Sequence, residues 1–136
     1  MSKAKKYEAS IRKSRKAWMN EVLARSKTRP PKCMDCRSAP RWPGHAVHEI
    51  CPRSMAPYRW WHPCNALLLC SGCHGSVLDN MHDWARQLAL KKLFDPEHFD
   101  LEAWHLILDP TGRRNEVVTP KDVANEIAKM QNANCS

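Results

Sequence analysis

The sequence predicts an α+β fold that is mostly helical, with a small cysteine-braced core between a basic N-terminal helix and C-terminal helices. Apolar residues recur at helical spacing towards both ends, and two CxxC pairs enclose a centre with short apolar runs. A chain of 136 residues fits one domain, small enough to benefit from a metal staple. We divide it into a basic helix (1–31), a cysteine-rich core (32–80) and a helical extension (81–136).

The N-terminal segment has the pattern of an amphipathic helix over residues 4–28, with one apolar stripe and charged remaining faces. The prolines of "TRPP" at 28–31 end this helix, because proline cannot continue it and restricts the residue before it. Residues 1–41 hold 13 Lys or Arg against 3 acidic residues, whereas residues 42–136 hold 9 against 11. The apolar stripe consists of Tyr7, Ile11, Trp18 and Val22.

This basic segment indicates a polyanionic partner, most often nucleic acid, because each neutralised phosphate releases condensed counterions. The alternative is a solvated tail that only aids solubility. No stretch is long and apolar enough for a signal peptide or a membrane span, so we expect no membrane contact. The candidate nucleic-acid contacts are Arg12, Lys13, Arg15, Lys16, Arg53 and Arg59.

The centre contains two short apolar runs typical of strands. "HAVHEI" at 45–50 predicts one strand, and "ALLLC" at 66–70 predicts a second strand or the approach to a helix. The irregular loop of about fifteen residues between them contains Tyr58, Trp60 and Trp61. Loops of this length are usually functional or locally held. Its tryptophans could stack on exposed bases, but adjacent tryptophans in a small domain more often pack in the core.

Helical periodicity returns after residue 80 and predicts three helices. The last begins with Thr119 as N-cap, Pro120 at the first helical position and Asp122 in the first turn. The apolar stripes of the first two helices consist of Met81, Trp84, Ala85 and Leu88, and of Leu101, Trp104 and Leu108.

The two CxxC pairs predict a structural zinc site. Each pair places two thiolates on one tight turn, and two pairs complete the tetrahedral sulfur shell that zinc prefers. A redox role would require a βαβ setting that the sequence does not suggest. The remaining cysteines, Cys51, Cys64 and Cys135, are expected to be buried or free thiols. The predicted zinc ligands are Cys33, Cys36, Cys70 and Cys73.

The same region resembles the HNH endonucleases, the ββα-metal nucleases that often carry a zinc-braced catalytic hairpin. The matching segments are "VHEICPRS" at 47–54 and "NALLLCSGCH" at 65–74, so the resemblance covers roughly residues 33–80. It implies that Asn65 braces the loop that positions the base, and that His74 binds a catalytic divalent ion. It also implies that His48 and Glu49 lie at the reaction centre, one as metal ligand and the other as general base.

The order of roles within this pair is open. The family register places Glu49 at the general base, yet a hard Mg²⁺ ion favours carboxylate oxygen, and imidazole is the better base near neutrality. The family's second ligand, one helical turn after the first, is replaced by Leu78, so Asp79 or His82 could complete the site. His45 and His62 are weaker candidates.

The resemblance implies a DNA endonuclease that uses Mg²⁺ or Mn²⁺, with Ni²⁺ as a further option, and acts on double-stranded DNA in the bacterial cytoplasm. By analogy at family level, the chain resembles small freestanding HNH proteins of phage or mobile elements, and its oligomeric state is open, with a dimer or a component of a larger phage complex as options. The main alternative is a non-catalytic zinc-ribbon module or adaptor that binds nucleic acid. A toxin-like effector nuclease is a third alternative.

Overall fold

The computed structural model of the protein describes residues 3–26, 31–39, 45–56, 59–112 and 117–134. These residues form an α+β fold that is mostly helical, as the sequence predicts, with one two-stranded sheet. Short 3₁₀ turns precede β2 and α4, at Pro63–Asn65 and Pro96–His98. The elements are α1 (Lys3–Arg25), β1 (His45–Glu49), β2 (Ala66–Cys70), α2 (Ser71–Asp79), α3 (Trp84–Phe94), α4 (Leu101–Leu108) and α5 (Pro120–Asn134).

The hairpin of β1 and β2 is the centre of the fold. The strands are antiparallel, with His48 opposite Leu67 and Glu49 opposite Ala66. Because side chains alternate along a strand, the hairpin has two faces. The histidine face comprises Ala46, His48, Leu67 and Leu69. The glutamate face comprises Val47, Glu49, Ala66 and Leu68.

Each face is covered by a separate apolar core. On the glutamate face, Trp18 and Val22 of α1 pack against Val47 and Leu68, and Trp60 joins them. The rings of Trp18 and Trp60 meet edge to face with centroids 5.3 Å apart. The basic helix is therefore docked on the hairpin by the apolar stripe predicted for it, although the side chains of Tyr7 and Ile11 lie outside the described part.

The histidine face packs against the larger core, which α2, α3, α4 and α5 complete. Trp104 of α4 is fully buried there and meets Trp84 of α3 edge to face, with ring centroids 5.5 Å apart. The three helices predicted after residue 80 are thus confirmed, except that Met81, predicted on the apolar stripe of the first, lies in the turn before α3. The predicted cap of α5 is also confirmed, since the Asp122 N–H donates to the Thr119 hydroxyl and the Thr119 N–H donates to the Asp122 carboxylate.

A buried cation joins α3 to the hairpin. Lys91 is fully buried, and its ammonium donates to the Ala66 carbonyl over 2.9 Å and to the Asp95 carboxylate over 2.6 Å. A buried charge needs such partners, because an unpaired one would be strongly destabilising.

Several predicted boundaries differ slightly from the structure. The first helix ends at Arg25, three residues before the predicted end, and the Ser26 N–H donates to the Leu23 carbonyl in a final turn. The segment at 66–70 is a strand, and α2 follows it without a loop. Among the described residues, none of the helices is long and apolar enough to cross a membrane.

Candidate functional site

Four cysteines meet at the end of β2. The sulfur atoms of Cys33, Cys36, Cys70 and Cys73 all lie within 4.8 Å of one another. The sulfurs of Cys36 and Cys70 are 3.7 Å apart, and four sulfurs placed tetrahedrally about 2.3 Å from a zinc ion would be roughly 3.8 Å apart. This group, the four-cysteine site, could hold a structural metal such as zinc.

In each CxxC turn, a backbone N–H donates to the sulfur of the first cysteine. The Asp35 N–H donates to the Cys33 sulfur, and the Cys73 N–H donates to the Cys70 sulfur, each over 3.4 Å. Such bonds favour the thiolate, which is the form that binds a metal. The donor is two residues after the first cysteine in the loop turn and three residues after it at the start of α2.

Further contacts position the first turn. The Met34 N–H donates to the Leu68 carbonyl of β2 over 2.8 Å. The Ser38 hydroxyl lies 3.0 Å from the Cys36 sulfur, and its hydrogen bond lowers the pKa of that thiol to about 6. Both turns are thus attached to β2, which links the four-cysteine site to the hairpin.

The other cysteines fit the prediction of structural thiols where they are described. Cys51 and Cys64 are buried, and burial raises the pKa of each to about 11. Cys135 lies outside the described residues. Buried thiols with raised pKa values are poor nucleophiles and poor metal ligands.

Two of the predicted site residues, His48 and His74, lie side by side. Their ring centroids are 5.4 Å apart, with the planes inclined at 63°. His48 is 5% exposed, and burial lowers its pKa to about 4. Burial of the half-buried His74 and the nearby charge of Arg15 also lower the pKa of that imidazole. Both rings are therefore neutral at pH 7, the state that binds metal ions.

A third residue completes this arrangement and was missed by the sequence analysis. Gln87 of α3 is 2% exposed, and its Oε1 atom lies 2.7 Å from Nε2 of His48. Its amide nitrogen donates to the Met81 carbonyl over 3.2 Å. In the sequence, Gln87 is a polar residue beside the apolar stripe of Trp84 and Leu88, and this position was the available signal. It does not reveal His48 as the partner, because His48 is distant in the sequence.

Glu49 lies on the opposite face of β1 from His48 and is bound by two arginines. Arg15 of α1 donates to one carboxylate oxygen, and the Arg53 N–H donates to the other over 2.9 Å. The Glu49 side chain is 11% exposed. Arg15 also donates to the Val47 carbonyl over 3.3 Å, which attaches α1 to β1.

The sequence predicts an ion held by His74 and by either His48 or Glu49, and the structure places His48 in ring contact with His74. Among the described residues, the four-cysteine site is the one group of three or more His, Cys, Asp or Glu residues whose ligand atoms converge within 4.8 Å. Asp79 and His82 do not extend the histidine pair to such a group either. Both are exposed, and His82 packs edge to face against Trp84.

Asn65 is fully buried and holds the loop between the strands. Its amide nitrogen donates to the carbonyls of Cys51 and Trp60, over 3.0 and 2.9 Å. Its carbonyl oxygen accepts from the Cys51 N–H over 2.7 Å and from the Trp104 indole over 3.2 Å. These contacts are of the kind expected for a brace, because they join both ends of the loop to α4.

The adjacent tryptophans occupy different environments. Trp60 is buried against α1, whereas Trp61 is 49% exposed and stacks on the exposed His62, with centroids 5.4 Å apart. His62 therefore packs on an exposed ring and lies outside the core. Tyr58 and the side chain of His45 lie outside the described part.

The predicted nucleic-acid contacts differ in how exposed their side chains are. Lys13 and Lys16 are exposed on α1, and Arg53 is exposed beside Glu49. Arg15 and Arg59 are half-buried, and the side chain of Arg12 lies outside the described part. The exposed cations of α1 thus lie on the helix that carries Arg15 to Glu49.

Comparisons of the chain with protein-family models, with curated proteins and with solved structures find no match in any of the three. The resemblance to HNH nucleases therefore depends on the motif residues and their arrangement.

Proposed function

We propose that the protein is a metal-dependent HNH-type endonuclease that hydrolyses DNA phosphodiester bonds, with a structural zinc in the four-cysteine site. The observation that carries this proposal is the edge contact of His48 and His74, two motif residues from different elements, beside a four-cysteine cluster. Family analogy extends the proposal to enzymes of phage or mobile-element type.

The histidine pair fits a divalent ion. Two imidazoles that each lie about 2.1 Å from one ion have ring centroids roughly 5 Å apart, close to the observed separation. When bound, such an ion would stabilise the charge that develops on the leaving oxygen. Because Glu49 is bound by arginines and imidazole suits Ni²⁺ better than Mg²⁺, we expect Ni²⁺ to support cleavage better than Mg²⁺.

Glu49 is then the proposed general base. One nitrogen of His48 is already bonded to Gln87, so the other is the atom available for an ion. Arg15, which donates to Glu49, also adds its charge to the lowering of the pKa of both histidines, after burial. In the proposal Glu49 accepts a proton from water, and Arg15 neutralises the phosphate that the water attacks.

The docked helix α1 supports DNA as the substrate. Trp18 and Val22 fix this helix on the glutamate face, and Lys13 and Lys16 remain exposed on it. A duplex held by these cations would lie next to Arg15 and Glu49.

A plasmid-nicking assay tests the proposal. The wild-type protein should convert supercoiled plasmid to nicked or linear DNA with Ni²⁺ or Mn²⁺ and not with EDTA. His48→Ala and His74→Ala should each lose at least about 100-fold in rate, because the ion loses a ligand. His62→Ala, which changes an exposed histidine on Trp61, is the matched control and should cut at the wild-type rate.

A non-catalytic zinc-ribbon module that binds DNA is the second candidate. It is favoured by the two arginines on Glu49 and by Leu78 at the place of a family ligand. Protein that binds plasmid DNA but cuts it with none of Mg²⁺, Mn²⁺ or Ni²⁺ would support this candidate and refute the nuclease.

A further inference from the structure

We infer that Gln87 of α3 is a positioning residue that selects the Nε2–H tautomer of His48 and thereby leaves the Nδ1 lone pair of that ring for a divalent ion. The role towards the ion rests on the proposed function, but selection of the tautomer does not. Gln87 lies beyond residues 33–80, the segment that resembles the nucleases.

The orientation of the Gln87 amide follows from its second partner. The Met81 carbonyl can only accept a hydrogen bond, so the group 3.2 Å from it must be the NH₂ of Gln87. The Oε1 atom therefore faces His48. Reversing the amide would place two acceptors against each other at Met81.

The orientation of the amide decides the tautomer of the ring. Oε1 of Gln87 can only accept, so the His48 Nε2 atom at 2.7 Å must carry the hydrogen. A neutral imidazole has a single N–H, and Nδ1 consequently keeps its lone pair. Histidines that bind metal ions usually donate their other ring N–H to a fixed acceptor in this way.

Burial strengthens the preference for the Nε2–H tautomer of His48. Gln87 and His48 are 2% and 5% exposed, so water is poorly placed to replace the bond. The other tautomer would set two lone pairs against each other in a buried site, and we expect it to be at least roughly tenfold less populated. Substitution of Gln87 by a residue without an acceptor should therefore change the tautomer populations of His48.

Nitrogen NMR of the full-length, zinc-loaded protein without added divalent ion tests the tautomer. Long-range ¹H–¹⁵N correlations distinguish Nε2–H from Nδ1–H, and the His48 signals are those missing from His48→Gln. We expect Nε2–H in the wild-type protein. Gln87→Met should lose the preference, while Gln131→Met, an exposed control, should keep it.

Calorimetric titration with Ni²⁺ tests the consequence for the ion. Gln87→Met should bind about tenfold more weakly or worse, and Gln131→Met should not. The inference is overturned if wild-type His48 carries its hydrogen on Nδ1, or if Gln87→Met leaves the tautomer unchanged. If the tautomer and the Ni²⁺ affinity respond as expected but no ion supports plasmid cleavage, the inference stands and the nuclease proposal fails.

Discussion

The histidine face and the glutamate face of the β1–β2 hairpin differ in charge and in what covers them. His48 is neutral at pH 7, buried, and bonded to an amide of α3. Glu49, the next residue, contacts the guanidinium of Arg15 from α1 and the backbone of Arg53. One face thus presents an uncharged imidazole, and the other presents a carboxylate bound by arginines.

This difference teaches that neighbouring motif residues need not share a role. Strand alternation sends His48 and Glu49 to opposite sides, where burial and charge favour different chemistry. An uncharged imidazole suits metal binding, whereas a carboxylate beside a guanidinium suits proton acceptance or phosphate-site organisation. The two roles proposed for the pair are therefore hard to exchange.

Loss of the four-cysteine site should have the largest effect, because β2 contributes to both faces and ends at Cys70. Cys33→Ser and Cys70→Ser should lose stoichiometric zinc and unfold the hairpin, since structural zinc contributes about 10 kcal/mol in small zinc-binding peptides. Metal analysis and thermal unfolding measure this. Cys135→Ser is the thiol control and should retain zinc; full zinc content in both of the first two variants would contradict the proposed site.

Acidification should have the second largest effect, because protonation of His48 destabilises the histidine face. The pKa of His48 is about 4 when folded and 6.5 ordinarily, so the unfolded chain binds a proton that the folded chain excludes. Stability should therefore fall as the pH falls from 6.5 to 4, by about 3 kcal/mol in total. Urea unfolding of wild type and His48→Gln at several pH values measures it, and equal slopes for both proteins would contradict this assignment.

Substitution of Glu49 should separate its role from that of the ion ligands. Glu49→Gln should lower the cleavage rate about 100-fold without weakening Ni²⁺ binding, since a general base contributes about that much. Glu49→His, which introduces the residue usual at this place in the HNH nucleases that the motif resembles, should retain activity. Glu21→Gln changes an exposed carboxylate of α1 and should have no effect. Weaker Ni²⁺ binding by Glu49→Gln would show that Glu49 is a ligand of the ion and not the general base.

The smallest expected effect concerns the contact between α1 and β1. A double-mutant cycle of Arg15→Met and Glu49→Gln in urea unfolding should give a coupling of about 1 kcal/mol, because the pair is mostly buried. The pair of Glu126 and Lys129 on α5, whose lysine side chain is 74% exposed, is the control and should give almost none. Equal coupling in both pairs would show that Arg15 does not fix α1 to the hairpin.

Local patterns predicted the helices, the strands and the four-cysteine cluster, because spacing alone decides which residues share a turn or a face. The alternation of His48 and Glu49 was also readable from "HAVHEI" as a strand, although the motif pointed to a shared centre. Gln87 could not be assigned, since its partner is on another element. Trp60 and Trp61 could not be told apart, because the loop that holds them has no regular period.

The buried Lys91 gives the fold an internal chemical reporter. Its amine is fully covered and bonded to Ala66 and Asp95, whereas the amines of Lys13 and Lys16 are exposed. Amine-acylating reagents should thus label the exposed lysines at once and reach Lys91 only when α3 separates from β2. The labelling rate of this one residue, read by mass spectrometry, would measure how often the histidine side of the hairpin opens.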